Sequence, residues 1–129
     1  MSKYQFGPRS FHQLVTLHPD LRKVLAHALS TGIIDFSVLE GYRGEEKQNE
    51  AFNTGKSKLK YPQSKHNMNP SRAVDIAPYP IDWNNRERFA KLAGVILACA
   101  HEVGVKVVWG GDWKTFKDLP HFELEDKTE

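Results

Sequence analysis

The chain has 129 residues, 40% of them hydrophobic and 26% charged, with a formal net charge of +2. That length fits one domain able to bury roughly two-thirds of its unfolded surface, and the composition excludes a fibrous or disordered chain. A charge so near zero gives no ground for nucleic-acid binding, and the single cysteine, Cys99, excludes both an intrachain disulfide and a cysteine metal cluster.

The opening MSKYQFGPRSF has neither an apolar core nor a small-residue cleavage site, so a secretory signal is not expected. No apolar run reaches the roughly 18 residues of a spanning helix, and membrane insertion is not expected either. The chain is therefore expected to be made in a cytoplasm and to need another factor to reach anything outside it.

The first predicted helix starts near Pro19, a good first-turn residue. Leu21, Val24, Leu25, Ala28 and Leu29 form one apolar stripe, and Gly32 is a natural stop. In IIDFSVLEG, Ile34, Phe36 and Val38 alternate with polar residues, which predicts a half-buried strand. EEKQNEAFNTG predicts a second helix ending at Gly55. Residues 56–72 are polar and carry proline without a sustained period, which predicts a long loop. Its KSKLK run, residues 56–60, reads as a solvated loop with a weak pull toward anionic surfaces.

AVDIAPYP predicts a short strand stopped by Pro78 and Pro80. A third helix is predicted over 85–103, burying Phe89, Leu92, Ala93, Ile96, Ala100 and Val103 and ended by Gly104. Cys99, within LACA, reads as a small buried hydrophobe on that helix. VKVVW predicts a strand, GGDW a tight turn and HFELE a final strand. The order implies an α+β fold with helices packed on a small antiparallel sheet.

A catalytic zinc site uses three protein ligands and leaves one position open, and two histidines with one carboxylate are a common set. Of the six histidines, His12, His18 and His27 lie in or beside the first helical region, and His101 falls off the apolar stripe of the third helix. All four read as surface or loop residues. His66 ends the polar loop, Asp75 sits between apolar residues in a strand, and His121 opens the last strand. An aspartate in an apolar strand needs a partner. That partner is as ordinarily an arginine or a backbone donor as a metal, so position alone leaves both readings open.

The motifs Ser64-Lys65-His66, Ala73-Val74-Asp75 and Asp118-Leu119-Pro120-His121, with GYRGEEKQNEAFNTGKSK upstream, resemble a known metallopeptidase family. That family contains D-Ala-D-Ala peptidases, phage endolysin L-alanyl-D-glutamate peptidases and hedgehog-like domains, and the likeness runs from about residue 12 to 124. Its nearest flavour is the compact phage endolysin. One departure is the eight residues between His66 and Asp75, where the family usually has six; Asn69 and Pro70 lie in that segment.

The resemblance implies Zn²⁺ on His66, Asp75 and His121, Asp118 as general base, and Arg43 gripping an oxyanion or a substrate carboxylate. It implies substrate contacts at Ser64, Gln48 and Trp113. Trp109 or Trp113 is expected in the core, and Asp112 is a candidate partner for the free N–H of a ligand histidine. The implied protein is a monomeric single catalytic domain, 1–129, without a separate wall-binding domain, cutting the L-Ala–D-Glu bond of peptidoglycan in a host bacterium's periplasm. Two alternatives stand beside it: a D-alanyl-D-alanine carboxypeptidase or dipeptidase, and a non-catalytic zinc-containing wall-binding module.

Overall fold

A computed structural model describes residues 3–126. Four helices and four strands follow one another as α1 (Pro8–Leu14), α2 (Pro19–Ser30), β1 (Phe36–Glu40), α3 (Glu45–Asn53), β2 (Ala73–Pro78), α4 (Arg86–Glu102), β3 (Val107–Trp109) and β4 (His121–Leu124). The expected α+β class holds. The strands form one antiparallel sheet in the order β1-β2-β4-β3.

The periodic elements form where their patterns place them. α2 begins at Pro19, buries the expected stripe, and is capped by the His18 side chain, whose Nδ1 accepts from the Asp20 N–H. α4 buries Phe89, Leu92, Ala93, Ile96, Cys99 and Ala100, so Cys99 is the core residue its context predicts. The helix α1 is not predicted by the pattern. Seven residues carrying only Ser10 and Leu14 as buried positions are too few to display a period, yet Pro8 at the first turn starts a helix there. Its Ser10 Oγ accepts from the Val38 N–H, so α1 covers a donor on the edge strand β1.

Alternation divides the sheet into two faces. Phe36, Val38, Val74, Ile76, Phe122 and Leu124 point into one core with α2 and α4. The opposite face carries Asp75, His121 and Glu123. Trp109 packs against the core and stacks on Phe122 at 6.4 Å between centroids. Around the second face stand α3, the loop after it, and the segment 110–120, where GGDW forms a 3₁₀ turn.

No helix among the described residues is long and apolar enough to cross a membrane. Ile76 and Phe122 are both fully buried in the core that backs this face. Ile76→Ala is therefore expected to cost roughly 2–5 kcal/mol. Urea denaturation measures the loss, and a change below 1 kcal/mol would contradict the packing described.

Candidate metal centre

Register builds the centre. Asp75 on β2 is the Cα partner of both His121 on β4 and Glu40 on β1, so three polar residues stand in one row across three strands. Glu40 joins that row through an irregularity between Val38 and Glu40. Without the extra residue in β1, alternation would turn Glu40 to the core face with Val38. His66 comes from a 3₁₀ turn, Lys65–Asn67, that lies over the row. Ser64 caps this turn, its Oγ accepting from the His66 N–H, and Asn67 Oδ1 accepts from the Ser64 N–H in return.

Three donor atoms meet at nearly equal separations. His66 Nε2 lies 3.3 Å from His121 Nδ1 and 3.3 Å from Asp75 Oδ1, and His121 Nδ1 lies 3.2 Å from Asp75 Oδ1. Tetrahedral zinc with bonds of roughly 2.0–2.1 Å holds its ligand atoms about 3.3–3.4 Å apart. The hydrogen bonds behind the rings agree with that use. His66 Nδ1 is 2.8 Å from the Gly41 carbonyl, and His121 Nε2 is 2.7 Å from Glu123 Oε1. Both partners can only accept, so those nitrogens carry the protons. In the neutral rings the other two nitrogens then present lone pairs to one point. Two lone pairs and a carboxylate converging at these distances make a site able to take a cation. The group His66, Asp75 and His121 can hold a metal ion, and its chemistry fits zinc.

Electrostatics in the metal-free chain point the same way. Burial alone would lower His121, but hydrogen bonds to Asp75 and Glu123 and their charges override it and hold the imidazole at about 9. Burial works to raise Asp75, yet the His66 charge and the bonds from both histidines keep it well below the usual carboxylate range. A proton on His121 thus sits where a metal would bind.

Two glycines permit these approaches. A Cβ at Gly41 would collide with Thr16 Oγ1 and Leu17, displacing the carbonyl that orients His66. A Cβ at Gly110 would collide with the Asp118 carbonyl and crowd the Cβ of His121.

A family model for phage L-alanyl-D-glutamate peptidases matches residues 1–128. The chain is 35% identical over 129 residues to the L-alanyl-D-glutamate peptidase of Escherichia phage T5, covering 97% of this chain and 92% of that one. The chain belongs to the phage L-alanyl-D-glutamate peptidase family. It is also 28% identical over 136 residues to the peptidoglycan L-alanyl-D-glutamate endopeptidase CwlK of Bacillus subtilis, covering 91% and 75% of the two chains. The crystal structure of the Serratia marcescens L-Ala D-Glu endopeptidase ChiX superposes with a TM-score of 0.83 at 36% identity, covering 95% of this chain and 91% of that one.

The remaining candidates of this family member border or underlie one cleft of about 840 Å³. Asp118, Ser64 and Trp113 line it beside the three ligand candidates, and the Trp113 ring lies 5.1 Å from that of His121. Arg43 also lines it, but its guanidinium is already engaged. Nε and Nη2 donate to Glu40 Oε1 at 2.9 and 2.6 Å, Nη1 donates to Gln48 Oε1 at 3.0 Å, and Nη2 lies 3.5 Å from Asp75 Oδ2. The arrangement suits holding Asp75 better than gripping a substrate. Gln48 departs further from a substrate contact: it is fully buried, and both ends of its amide are taken by Arg43, Asn67, Ser57 and Leu59.

Asp112 is exposed and makes no hydrogen bond to either histidine among the described residues; Glu123 and the Gly41 carbonyl take the place expected for it. Alternation in HFELE carries the signal for Glu123, since positions two apart share a strand face. His12 and His101 are exposed and His18 caps α2, away from the centre. The longer His66–Asp75 segment has its exposed residues at Met68, Asn69 and Pro70. It then bonds through Ser71 to Thr16 and His18 before entering β2.

Because His121 holds its proton up to about pH 9, metal binding below that pH displaces one proton. Apparent zinc affinity is expected to rise about tenfold per pH unit from 6 to 8.5 and to level off above 9. Chelator competition across that range measures it, and a pH-independent affinity would contradict the assignment. Glu123→Gln is expected to weaken zinc binding by roughly 10–100-fold.

Proposed function

We propose that this chain is a zinc-dependent endopeptidase that hydrolyses the L-Ala–D-Glu bond of peptidoglycan stem peptides. The observation that carries the reading is the triangle of metal-binding atoms at 3.2–3.3 Å in a chain of this family. The T5 and CwlK relatives are named for the same bond, and CwlK for peptidoglycan.

His66, Asp75 and His121 would hold the ion, which when bound supplies a Lewis acid that polarises the scissile carbonyl and acidifies a water. Asp118 takes the proton of the attacking water and returns it to the leaving amine. Two carboxylates compete for that role by position, and their surroundings separate them. Both Glu123 oxygens are occupied, Oε1 by His121 at 2.7 Å and Oε2 by Lys65 at 3.0 Å. Burial works to raise Glu123, but those partners outweigh it and leave the group below its ordinary range, a poor base. Asp118 has no hydrogen bond to its carboxylate among the described residues, and burial followed by the Asp75 charge pushes it up. A base works best with its pKa raised toward the operating pH.

Arg43 fixes the Asp75 carboxylate from behind. Trp113 walls the cleft beside His121, and Ser64, which lines the cleft beneath His66, contacts the substrate. Residues 1–129 act as a single monomeric catalytic domain. Synthesis in the host cytoplasm, with access to the wall once another factor opens the membrane, is the setting that suits a phage family.

Digesting purified wall and identifying the new amino termini tests the bond. New D-Glu amines support the reading, whereas release of free D-Ala would favour a D,D-carboxypeptidase. Stoichiometric zinc without cleavage would favour a binding module. Asp118→Asn is expected to keep zinc and lose roughly 10²–10⁴-fold in rate, while Asp75→Asn loses zinc. Zinc content and wall lysis, measured side by side, check both; wild-type lysis by Asp118→Asn would remove it as the base.

A further inference from the structure

One wall of the cleft takes no part in the chemistry described. Lys47 on α3 and Lys56 and Lys58 on the following loop line the same cleft as His66, Asp75 and His121. All three lysines are exposed, and among the described residues none pairs with a carboxylate. The two other cations of the cleft are committed: Arg43 to Glu40 and Asp75, Lys65 to Glu123 and Asp126. Glu50 is the carboxylate on the lysine wall, so three ammonium groups stand there against one negative charge.

The wall is not a loose fringe. Asp75 Oδ2 lies 3.5 Å from Arg43 Nη2, Arg43 Nη1 donates to Gln48 Oε1 at 3.0 Å, and Gln48 Nε2 donates to Ser57 Oγ at 3.0 Å and to the Leu59 carbonyl at 2.7 Å. Ser57 and Leu59 flank Lys58. A buried polar chain therefore ties the backbone at Lys58 to the metal-binding carboxylate. The Lys58 ammonium lies 5.5 Å from the centroid of Phe116, which borders the cleft from the 110–120 segment.

Substrate chemistry supplies a matching group. A glutamate joined through its amine keeps two carboxyls, and onward peptide linkage uses one. The other is a free carboxylate on the very residue whose amine departs. We infer that Lys47, Lys56 and Lys58 form a subsite for this free carboxylate, so that the enzyme prefers stem peptides carrying D-Glu over those in which that carboxyl is amidated. The inference rests on the peptidase reading above. A carboxamide keeps the shape but loses the charge, and a wall of like-signed groups beside a low-dielectric cleft responds to charge. Each exposed pair contributes little, so the preference comes from the three together and weakens with salt.

The test compares two synthetic peptides that contain the L-Ala–D-Glu bond and differ only in carboxylate against carboxamide at that position. With the zinc-loaded enzyme at low ionic strength, kcat/KM is expected to favour the carboxylate about five- to tenfold, mainly through KM. The triple variant Lys47→Gln, Lys56→Gln, Lys58→Gln is expected to bring the ratio near one by losing activity on the carboxylate peptide alone, with zinc content and circular dichroism unchanged. Lys91→Gln, on α4 and outside the cleft, leaves the ratio intact. Equal cleavage of both peptides by the wild type overturns the inference, as does a triple variant that keeps the preference. Cleavage of neither peptide overturns the peptidase reading itself, and the inference with it.

Discussion

Everything in the centre depends on the strand register that sets Asp75 opposite His121. A slip of one residue between β2 and β4 would turn Asp75 into the helix-packed core and Val74 out into the cleft. The apolar partners make that slip costly, because Val74 and Ile76 on one strand and Phe122 and Leu124 on the other must all stay on the buried side. Core packing and the convergence of the three ligand candidates are thus two faces of one constraint. The irregularity in β1 extends it, since it brings Glu40 into the same row, where Glu40 anchors the arginine that holds Asp75.

Without a metal the centre is held by a proton on His121 and by its outer bonds. Two imidazoles and a carboxylate crowd within 3.3 Å, largely out of water, and the hydrogen bonds and opposite charges among them outweigh the desolvation of Asp75 and His121. Those outer bonds come from groups with fixed roles. The Gly41 carbonyl sets one ring, the Glu123–Lys65 pair sets the other, and Arg43 sets the carboxylate. A metal cation that binds the folded chain and not the unfolded one adds stabilisation that grows with its concentration. The same outer bonds distinguish the carboxylates: both Glu123 oxygens are engaged, by His121 and Lys65, whereas the Asp118 carboxylate accepts no hydrogen bond among the described residues, the contrast on which the proposed role of Asp118 rests.

Much of this was legible in the sequence, for identifiable reasons. The helices α2 and α4 carry uninterrupted apolar stripes, Phe36 and Val38 of β1 and Phe122 and Leu124 of β4 alternate with polar residues, and Pro78 and Pro80 mark the end of β2, so these elements could be read directly. The ligand candidates needed the family resemblance, because a strand aspartate and two junction histidines fit ordinary structural roles equally well. What stayed hidden depends on long-range packing. The helix α1 is too short to show a period. Gln48 has the look of a polar helix-surface residue and is buried because the 56–60 loop folds back over one end of its amide while Arg43 and Asn67 close on the other. Asp112 was the partner expected for a ligand histidine; the turn carries it outward, and the alternation of HFELE, a signal the sequence did hold, sets Glu123 beside His121 instead.

The most direct test of the account is anomalous diffraction at the zinc edge from crystals of the metal-loaded protein, which locates the ion and the atoms that bind it. One strong peak is expected, bonded to His66 Nε2, His121 Nδ1 and an Asp75 oxygen, with Glu123 still on His121 Nε2. A peak bonded to His121 through Nε2, or one sited on Glu123 or Asp118 in place of Asp75, would contradict it.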